Sequence, residues 1–411
     1  MGERHLHPAA DPAARAPARR LADRLRRTGR AVSSGDVALA KAPPLVFAGE
    51  VDQLRERLAA VARGEALLLQ AGDRPGARAA LSAAAVRDTL RTLLQMSAVL
   101  TYAASVPVVK VGRIAGHYPA PRTGDPGLPT RTYQAAASTL NLVRAFTTGG
   151  EADLSQVHAW NREFVTASPA GQRYEAVARG IDKALAFMKA CGTDPAGLRS
   201  VEFYAAHDVA RLDYASALTR TDSRTGAPYA TSGHLVRIGD GDRPPDEAHV
   251  GFAARIANPV TVRLGPATTV DEVLGYVDRL DPDREPGRLT FALRLGAERV
   301  RDLLPELVEK VTASGARPVW VTAPETSSGA PGFDDVLDEV RGFFDVHRSL
   351  GTHPGGIHTE LTGDDAARDR ERPLDLAFRV AEFARSPEPG ARSLSPGPGR
   401  EHQAALSVRR P

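Results

Sequence analysis

The alternation of short apolar runs with longer helical patterns constrains the fold of this chain more than any other feature. Eight runs of five or six residues, most of them rich in Val, Leu and Ile and bounded by Gly, Pro or Asp, recur along the sequence. They are Ala66–Gln70, Val106–Val111, Ser200–Tyr204, His234–Ile238, Pro259–Leu264, Leu289–Arg294, Pro318–Thr322 and Gly356–Glu360. Such runs are typical of strands buried on both faces of a parallel sheet.

Helical patterns follow or separate these runs. Arg78–Leu100 is rich in Ala and Leu, Thr269–Asp278 opens on a Thr-x-x-Glu capping box, and Phe333–Leu350 is amphipathic. The stretch Thr132–Lys189 predicts an extra helical insertion after strand two. Eight alternating units predict an α/β fold, a closed (β/α)8 TIM barrel. The alternative is an open doubly wound sheet, which the lack of a Gly-rich dinucleotide fingerprint after the runs disfavours.

Composition predicts three regions along the chain. Residues 1–43 are rich in Ala, Arg and Pro, and we expect a basic, partly disordered extension there. Residues 44–385 form the predicted barrel, with the helical insertion at about 132–190. Residues 386–411 are rich in Pro, Gly and Ser and are predicted to be a disordered tail.

Charge and cysteine content limit the class of protein. Lys and Arg total 53 against 50 Asp and Glu, and Arg is scattered along the chain, so the charge fits a site for a small anion as well as it fits nucleic acid. Nucleic-acid binding rests only on the basic N-terminus and is not expected. Cys191 is the sole cysteine, which excludes an internal disulfide and a Cys-based zinc site. No apolar run approaches the roughly 18 residues of a membrane span, and no signal-peptide core is present. We therefore expect a cytoplasmic protein with no membrane partner.

Arginines stand at the ends of several predicted strands, where the chemistry of a β/α barrel is located. Arg113 ends strand two with Arg122 nearby, Arg263 lies at the end of strand five, and Arg294 ends strand six. Because guanidinium groups bind phosphate and carboxylate bidentately, these four predict a site for a small phosphorylated or carboxylated molecule. The alternative is an internal network between arginines and acidic residues such as Asp240.

Four further residues are predicted to carry catalytic chemistry. His358 and Glu360 are two apart on strand eight, so they share a face and are suited to an acid–base pair or part of a metal site. For His358 alone, a packed or hydrogen-bonded histidine is the favoured interpretation. Asp240 is a second candidate acid or base, and Arg74 is a cation that can stabilise developing negative charge.

Several motifs between about Pro43 and Phe383 resemble class II 3-deoxy-D-arabino-heptulosonate 7-phosphate (DAHP) synthases. They are Pro-Pro-Leu-Val-Phe-Ala-Gly-Glu at 43–50, Leu-Leu-Leu-Gln-Ala-Gly-Asp at 67–73, Pro-Val-Val-Lys-Val-Gly-Arg-Ile-Ala-Gly at 107–116, Glu-Phe-Tyr at 202–204, Asn-Pro at 258–259, Thr-His-Pro-Gly-Gly at 352–356 and Leu-Thr-Gly-Asp-Asp at 361–365. The resemblance implies a barrel enzyme that condenses phosphoenolpyruvate with erythrose 4-phosphate. It also implies a divalent metal held by a cysteine, a histidine, a glutamate and an aspartate, a homo-oligomer, and association with a chorismate mutase.

The sequence departs from this family at the implied metal site. The family's Gly-Asp-Cys is Gly72-Asp73-Arg74 here, and Thr326 stands where the histidine is expected. Glu360 matches the glutamate, and the segment that should carry the aspartate is missing after Asp365. We therefore predict no metal at this site and no cofactor, with Mn or Co only if other residues rebuild it.

The implied phosphoenolpyruvate side is better preserved. Arg113, Arg122 and Arg294 match family arginines there, and Arg263 replaces a lysine. An expected lysine is Ala120.

Three functions stay open at this point. The first is a repurposed, metal-independent DAHP synthase-like enzyme of specialised, shikimate-type metabolism that acts on a carboxylated or phosphorylated small molecule. The second is a true DAHP synthase in aromatic amino acid biosynthesis. The third is a non-catalytic regulatory or binding paralog that associates with an active synthase or a chorismate mutase.

Overall fold

Eight parallel strands of the computed structural model form one closed barrel. The structure describes residues 34–73, 82–113, 127–149, 152–168, 171–192, 201–239, 246–324, 332–361 and 368–385. The barrel strands are β1 (Leu67–Asp73), β2 (Val108–Arg113), β3 (Tyr204–Asp208), β6 (Leu235–Ile238), β7 (Val260–Leu264), β8 (Leu289–Leu293), β9 (Val319–Thr322) and β10 (Gly356–Leu361). Their order around the barrel is β1-β10-β9-β8-β7-β6-β3-β2. The predicted barrel is confirmed, and the open sheet is wrong.

Helices surround the barrel and fill the long connection after β2. They are α1 (Ser34–Lys41), α2 (Ala48–Ala62), α3 (Ala83–Ala104), α4 (Leu128–Thr148), α5 (Leu154–Ala167), α6 (Glu175–Ala190), α7 (Leu212–Ala217), α8 (Glu247–Ala253), α9 (Val270–Leu280), α10 (Val300–Ala313), α11 (Phe333–Ser349) and α12 (Arg368–Arg385). Helices α4, α5 and α6, with a 3-10 turn at Gly171–Tyr174, lie between β2 and β3 where extra helices were predicted.

A helix cap and a short strand pair are local features outside the barrel strands. Thr269 is the N-cap of α9: its hydroxyl accepts from the Glu272 N–H, and the Glu272 carboxylate accepts from the Thr269 N–H, which confirms the capping box. A short antiparallel pair, β4 (Thr219–Thr221) and β5 (Pro228–Ala230), lies outside the barrel and was not predicted. Among the described residues, no helix is long and apolar enough to cross a membrane.

Alternation along the strands separates two packing layers. On β7, Val260, Val262 and Leu264 pack in the large cluster shared with the surrounding helices, so Thr261 and Arg263 face the barrel interior. The lower interior is filled by apolar residues that pack against Leu54, Leu58 and Val61 of helix α2. These residues are Ala66, Leu68, Val109, Val111, Tyr204, Ala206, Leu235, Val319 and Val321. The N-terminal end of the barrel is therefore closed by packing, and polar chemistry is left to the opposite end.

Strand β3 corrects the sequence prediction. The apolar run at 200–204 was taken as the strand, but the strand is Tyr204–Asp208. Phe203 lies beside Gly112 of β2, where an added Cβ would come within 2.3 Å of the phenyl ring. The strand itself uses the small residues Ala205 and Ala206, which a search for Val, Leu and Ile passes over.

Candidate active site

Strand register brings charged side chains together at the C-terminal end of the barrel. Asp208 of β3 pairs in register with Arg237 of β6, and Gly72 of β1 lies between Arg113 of β2 and Glu360 of β10. Because alternate residues of a strand point the same way, these four side chains face inward. Arg263 of β7 joins them, and we call Arg113, Asp208, Arg237, Arg263 and Glu360 the rim cluster.

Gly72 makes room for this arrangement by a close approach. An added Cβ at Gly72 would lie 2.5 Å from the Cβ of Arg113 and 2.6 Å from its carbonyl oxygen. Any larger residue would displace the backbone that carries the Arg113 guanidinium. The glycine of the Gly72-Asp73-Arg74 motif is therefore required by packing.

Asp208 pairs with two arginines of the rim cluster. Its Oδ2 lies 3.0 Å from Nη2 of Arg113, and its Oδ1 lies 3.2 Å from Nε of Arg237. The arginine side chains are only 2% and 7% exposed, whereas that of Asp208 is 28% exposed. Two nearly buried cations are thus held by one carboxylate that reaches the solvent side.

Arg263 and Glu360 form the second pairing of the rim cluster. Nη2 of Arg263 lies 3.8 Å from Oε1 of Glu360, and both side chains are nearly buried. Burial lowers the pKa of Arg237 to about 9. The charge of Asp208 opposes this shift, and the charges of Arg113 and Arg263 add to it. Burial and then Arg113 lower the pKa of Arg263 in the same way. Arg237 is still charged at neutral pH, so among the described residues three crowded guanidiniums meet two carboxylates, an arrangement that favours a bound anion.

His358 lies on the same face of β10 as Glu360, one step deeper in the barrel. It is 1% exposed, and neither ring nitrogen has a hydrogen-bond partner among the described residues. Burial, followed by the charges of Arg237, Arg113 and Arg263, lowers its pKa well below the ordinary range. The imidazole is therefore neutral and offers one donor and one acceptor beneath the rim cluster. The ring is thus packed, as one interpretation of the sequence has it, and an acid–base or metal role for it stays a prediction.

The structure brings together several of the residues predicted from sequence. Arg113, Arg263 and Glu360 belong to the rim cluster, with His358 directly beneath. Arg294 follows β8, and its backbone N–H donates to the Leu264 carbonyl at the end of β7, so it lies at the same end of the barrel.

Three predicted site residues, Arg74, Arg122 and Asp240, lie outside the described residues. Sequence reasoning missed Asp208 and did not select Arg237. Asp208 was missed because strand three was placed four residues too early. Counting inward positions from Tyr204 through Ala206 would have found it.

The described residues do not by themselves fit the metal that the resemblance implies. Among them, no group of three His, Cys, Asp or Glu side chains could hold a metal ion. Glu360 faces the guanidinium of Arg263, and Cys191 is exposed at the end of α6. Positions 74 and 326, occupied by Arg and Thr, lie outside the described residues.

Comparison with known proteins supports the family that the sequence motifs indicate. The sequence profile described as the Class-II DAHP synthetase family matches residues 27–126 and 122–368. A Streptomyces coelicolor protein named phospho-2-dehydro-3-deoxyheptonate aldolase is 56% identical over 406 residues, covering 84% of this chain and 90% of that protein. The Mycolicibacterium smegmatis protein named phospho-2-dehydro-3-deoxyheptonate aldolase AroG is 42% identical, covering 84% of this chain and 89% of that protein.

Among solved structures, a truncated 3-deoxy-D-arabino-heptulosonate 7-phosphate synthase from Thermotoga maritima aligns over 78% of this chain and 84% of its own. It is 14% identical, with a TM-score of 0.33.

Proposed function

The chain belongs to the class-II DAHP synthetase family, and from this premise we propose that it is a DAHP synthase that condenses phosphoenolpyruvate with erythrose 4-phosphate. The observation that carries the proposal is the rim cluster, in which the guanidiniums of β2, β6 and β7 converge at the barrel mouth with two carboxylates among the described residues. The 56% identity to a protein named for this aldolase activity supports the family's own reaction over a repurposed one.

Phosphoenolpyruvate suits the rim cluster because it carries two anionic groups on a small frame. Arg113 of β2 and Arg263 of β7 provide guanidinium forks at the mouth from strands that two others separate, and Arg294 adds a cation at the same end. Bidentate contacts to a phosphate and a carboxylate fix the orientation of a planar substrate as well as its affinity. The neutral His358 offers a hydrogen bond from below without adding charge.

The reaction joins C3 of phosphoenolpyruvate to the aldehyde carbon of the sugar phosphate. The aldehyde oxygen takes up a proton, water adds at C2 of phosphoenolpyruvate, and inorganic phosphate leaves. Arginines that hold the phosphate and the carboxylate stabilise charge that develops on both. In this proposal Glu360, at the mouth of the barrel, takes a proton from the reacting water and returns a proton to the aldehyde oxygen.

An activity assay tests the proposal. The purified protein is mixed with phosphoenolpyruvate and erythrose 4-phosphate, alone and with Mn²⁺ or Co²⁺, while phosphoenolpyruvate loss and phosphate release are followed. We expect stoichiometric release of phosphate, and a loss of about a hundredfold in kcat/KM for Arg113→Ala. Phosphoenolpyruvate that is bound but not consumed, with either metal, would instead identify a non-catalytic paralog.

A second candidate is a metal-independent enzyme that acts on a related carboxylated or phosphorylated molecule. It is favoured by Arg74 and Thr326, which occupy positions where the resemblance implies a cysteine and a histidine ligand. Elemental analysis separates the candidates if the unmodified protein is compared with the Arg74→Cys/Thr326→His variant. Metal bound only by the variant supports metal independence, and stoichiometric metal in the unmodified protein rejects it.

We also propose that the chain forms a homo-oligomer in the cytoplasm and associates with a chorismate mutase, as the resemblance implies. Phe187 is 70% exposed near the end of α6 and is one apolar residue available for such contacts. Light scattering of the purified protein, alone and mixed with a mutase from the same cell, tests both assemblies.

A further inference from the structure

We propose that Asp208 limits the negative charge that the barrel mouth accepts, because it occupies two of the guanidiniums that a substrate anion needs. Its carboxylate is an internal anion that shares Arg113 and Arg237 with the incoming ligand. This inference rests on the proposed function for its choice of substrate, and it assigns a specificity-determining role to a residue outside the predicted site.

The position of the carboxylate is the first argument. Asp208 lies 3.0 Å from Nη2 of Arg113 and 3.2 Å from Nε of Arg237, and it is the most exposed side chain of the three. An anion that enters the mouth therefore meets the Asp208 carboxylate beside the guanidiniums that attract it. Repulsion between them grows with the charge of the ligand, so a phosphate dianion is disfavoured about twice as much as a monoanion.

Removing a counter-charge from buried arginines also costs free energy. Arg113 and Arg237 are nearly buried, and a buried guanidinium that loses one of its counter-charges destabilises the protein. Removing the charge of Asp208 raises the free energy of the site without ligand and removes repulsion in the site with ligand. Both changes act in the same direction, toward tighter binding of anions.

The consequence for the reaction concerns phosphate, which leaves as a product. With the Asp208 charge present, both phosphate and phosphoenolpyruvate bind less tightly, and phosphoenolpyruvate offsets its larger repulsion by the second contact that its carboxylate makes. Asp208 thereby weakens the retention of phosphate after the reaction.

Calorimetric titration of the full chain tests the role with inorganic phosphate, phosphoenolpyruvate and pyruvate as probes. Asp208→Asn is expected to lower the Kd for phosphate by about tenfold and that for the monoanion pyruvate by about threefold. Asp208→Glu keeps the charge and is expected to bind phosphate as the unmodified protein does. Asp338→Asn removes a carboxylate paired with Arg301 on the outer helices, and it should change none of these constants.

Asp208→Ser provides a second neutral variant in case the asparagine variant does not fold. Phosphate affinity in the folded neutral variants that is equal to or weaker than that of Asp208→Glu overturns the inference. A purely structural role would weaken all three ligands together. The titrations need no turnover, so the two proposals can fail separately. If the protein never condenses its substrates, the proposed function is rejected, and tighter phosphate binding by the neutral Asp208 variants would still support this inference.

Discussion

The guanidinium of Arg263 lies 3.8 Å from the carboxylate of Glu360, and the pair spans the barrel mouth from β7 to β10. Two strands separate β7 from β10 in the barrel, so the contact crosses the opening and does not follow a neighbouring pair of strands. The charge of Glu360 is therefore opposed by an arginine from the far side of two intervening strands.

Arg263→Lys tests whether substrate binding depends on the paired N–H donors of the guanidinium or only on its charge. The ammonium keeps the charge opposite Glu360 but cannot make two parallel hydrogen bonds to a substrate anion. We expect KM for phosphoenolpyruvate to rise about tenfold with a small change in kcat, and Arg263→Ala to lose about a hundredfold in kcat/KM. Steady-state kinetics checks both, and an Arg263→Ala variant with unchanged KM would place substrate binding elsewhere.

Gly72→Ala tests the close approach between β1 and β2. The added methyl would lie 2.5 Å from the Cβ of Arg113, closer than van der Waals contact allows. We expect a loss of about 2 kcal/mol or more in the free energy of unfolding, and weaker phosphoenolpyruvate binding because Arg113 moves. Gly275→Ala is the matched control: it lies in α9 with no atom within 4 Å of an added Cβ, so it should be neutral or mildly stabilising. Urea unfolding of both variants decides the comparison.

Much of the barrel could be predicted from sequence because strands buried on both faces are marked by composition. Seven of the eight runs overlap well with strands, and the Thr269 capping box fixed the start of α9 to the residue. The third run failed because Ala205 and Ala206 are small, and because the larger Phe203 packs beside Gly112 ahead of the strand. Runs of large apolar residues indicate which segments are buried, whereas small residues in a crowded barrel give little of that signal.

The candidate site was predictable only in part. Arg113, Arg263 and Glu360 were identifiable because strand ends carry the chemistry of such barrels. The pairing of Asp208 with two arginines depends on the register between β3 and β6, which a single sequence does not encode locally. Distances across the mouth, such as that from Arg263 to Glu360, follow from barrel closure and lie beyond any linear pattern.

Glu50 predicts how stability depends on pH. Burial alone would raise the pKa of this carboxyl, but His234, whose Nε2 lies 3.9 Å from its Oε1, the hydrogen bond from the Phe47 N–H and the charge of Arg144 lower it to about 2. A lowered pKa means that the ionised group stabilises the folded state above its unfolded pKa of about 4.3, and that this stability is lost as pH falls toward 2.

Glu50→Gln is therefore expected to cost about 1 kcal/mol at neutral pH, after allowance for solvent screening of a side chain that is one-third exposed. The difference from the unmodified protein should shrink as pH falls below about 4. Glu56→Gln, an exposed change on the same helix, is the control. Urea unfolding at a series of pH values measures the effect, and a pH-independent difference would contradict it.

Asn258 connects the small β4–β5 pair to the barrel. Its side-chain amide donates to the carbonyls of Ala230 and Gly233, each at 3.0 Å, and its oxygen accepts from the Ala230 N–H at 2.8 Å. The residue is fully buried, so Asn258→Ala would leave these backbone groups without partners or water. We expect a loss of about 3 kcal/mol in the free energy of unfolding. Asn141→Ala, an exposed change on α4, should cost well under about 1 kcal/mol, and equal losses in the two variants would show that the buried network contributes little.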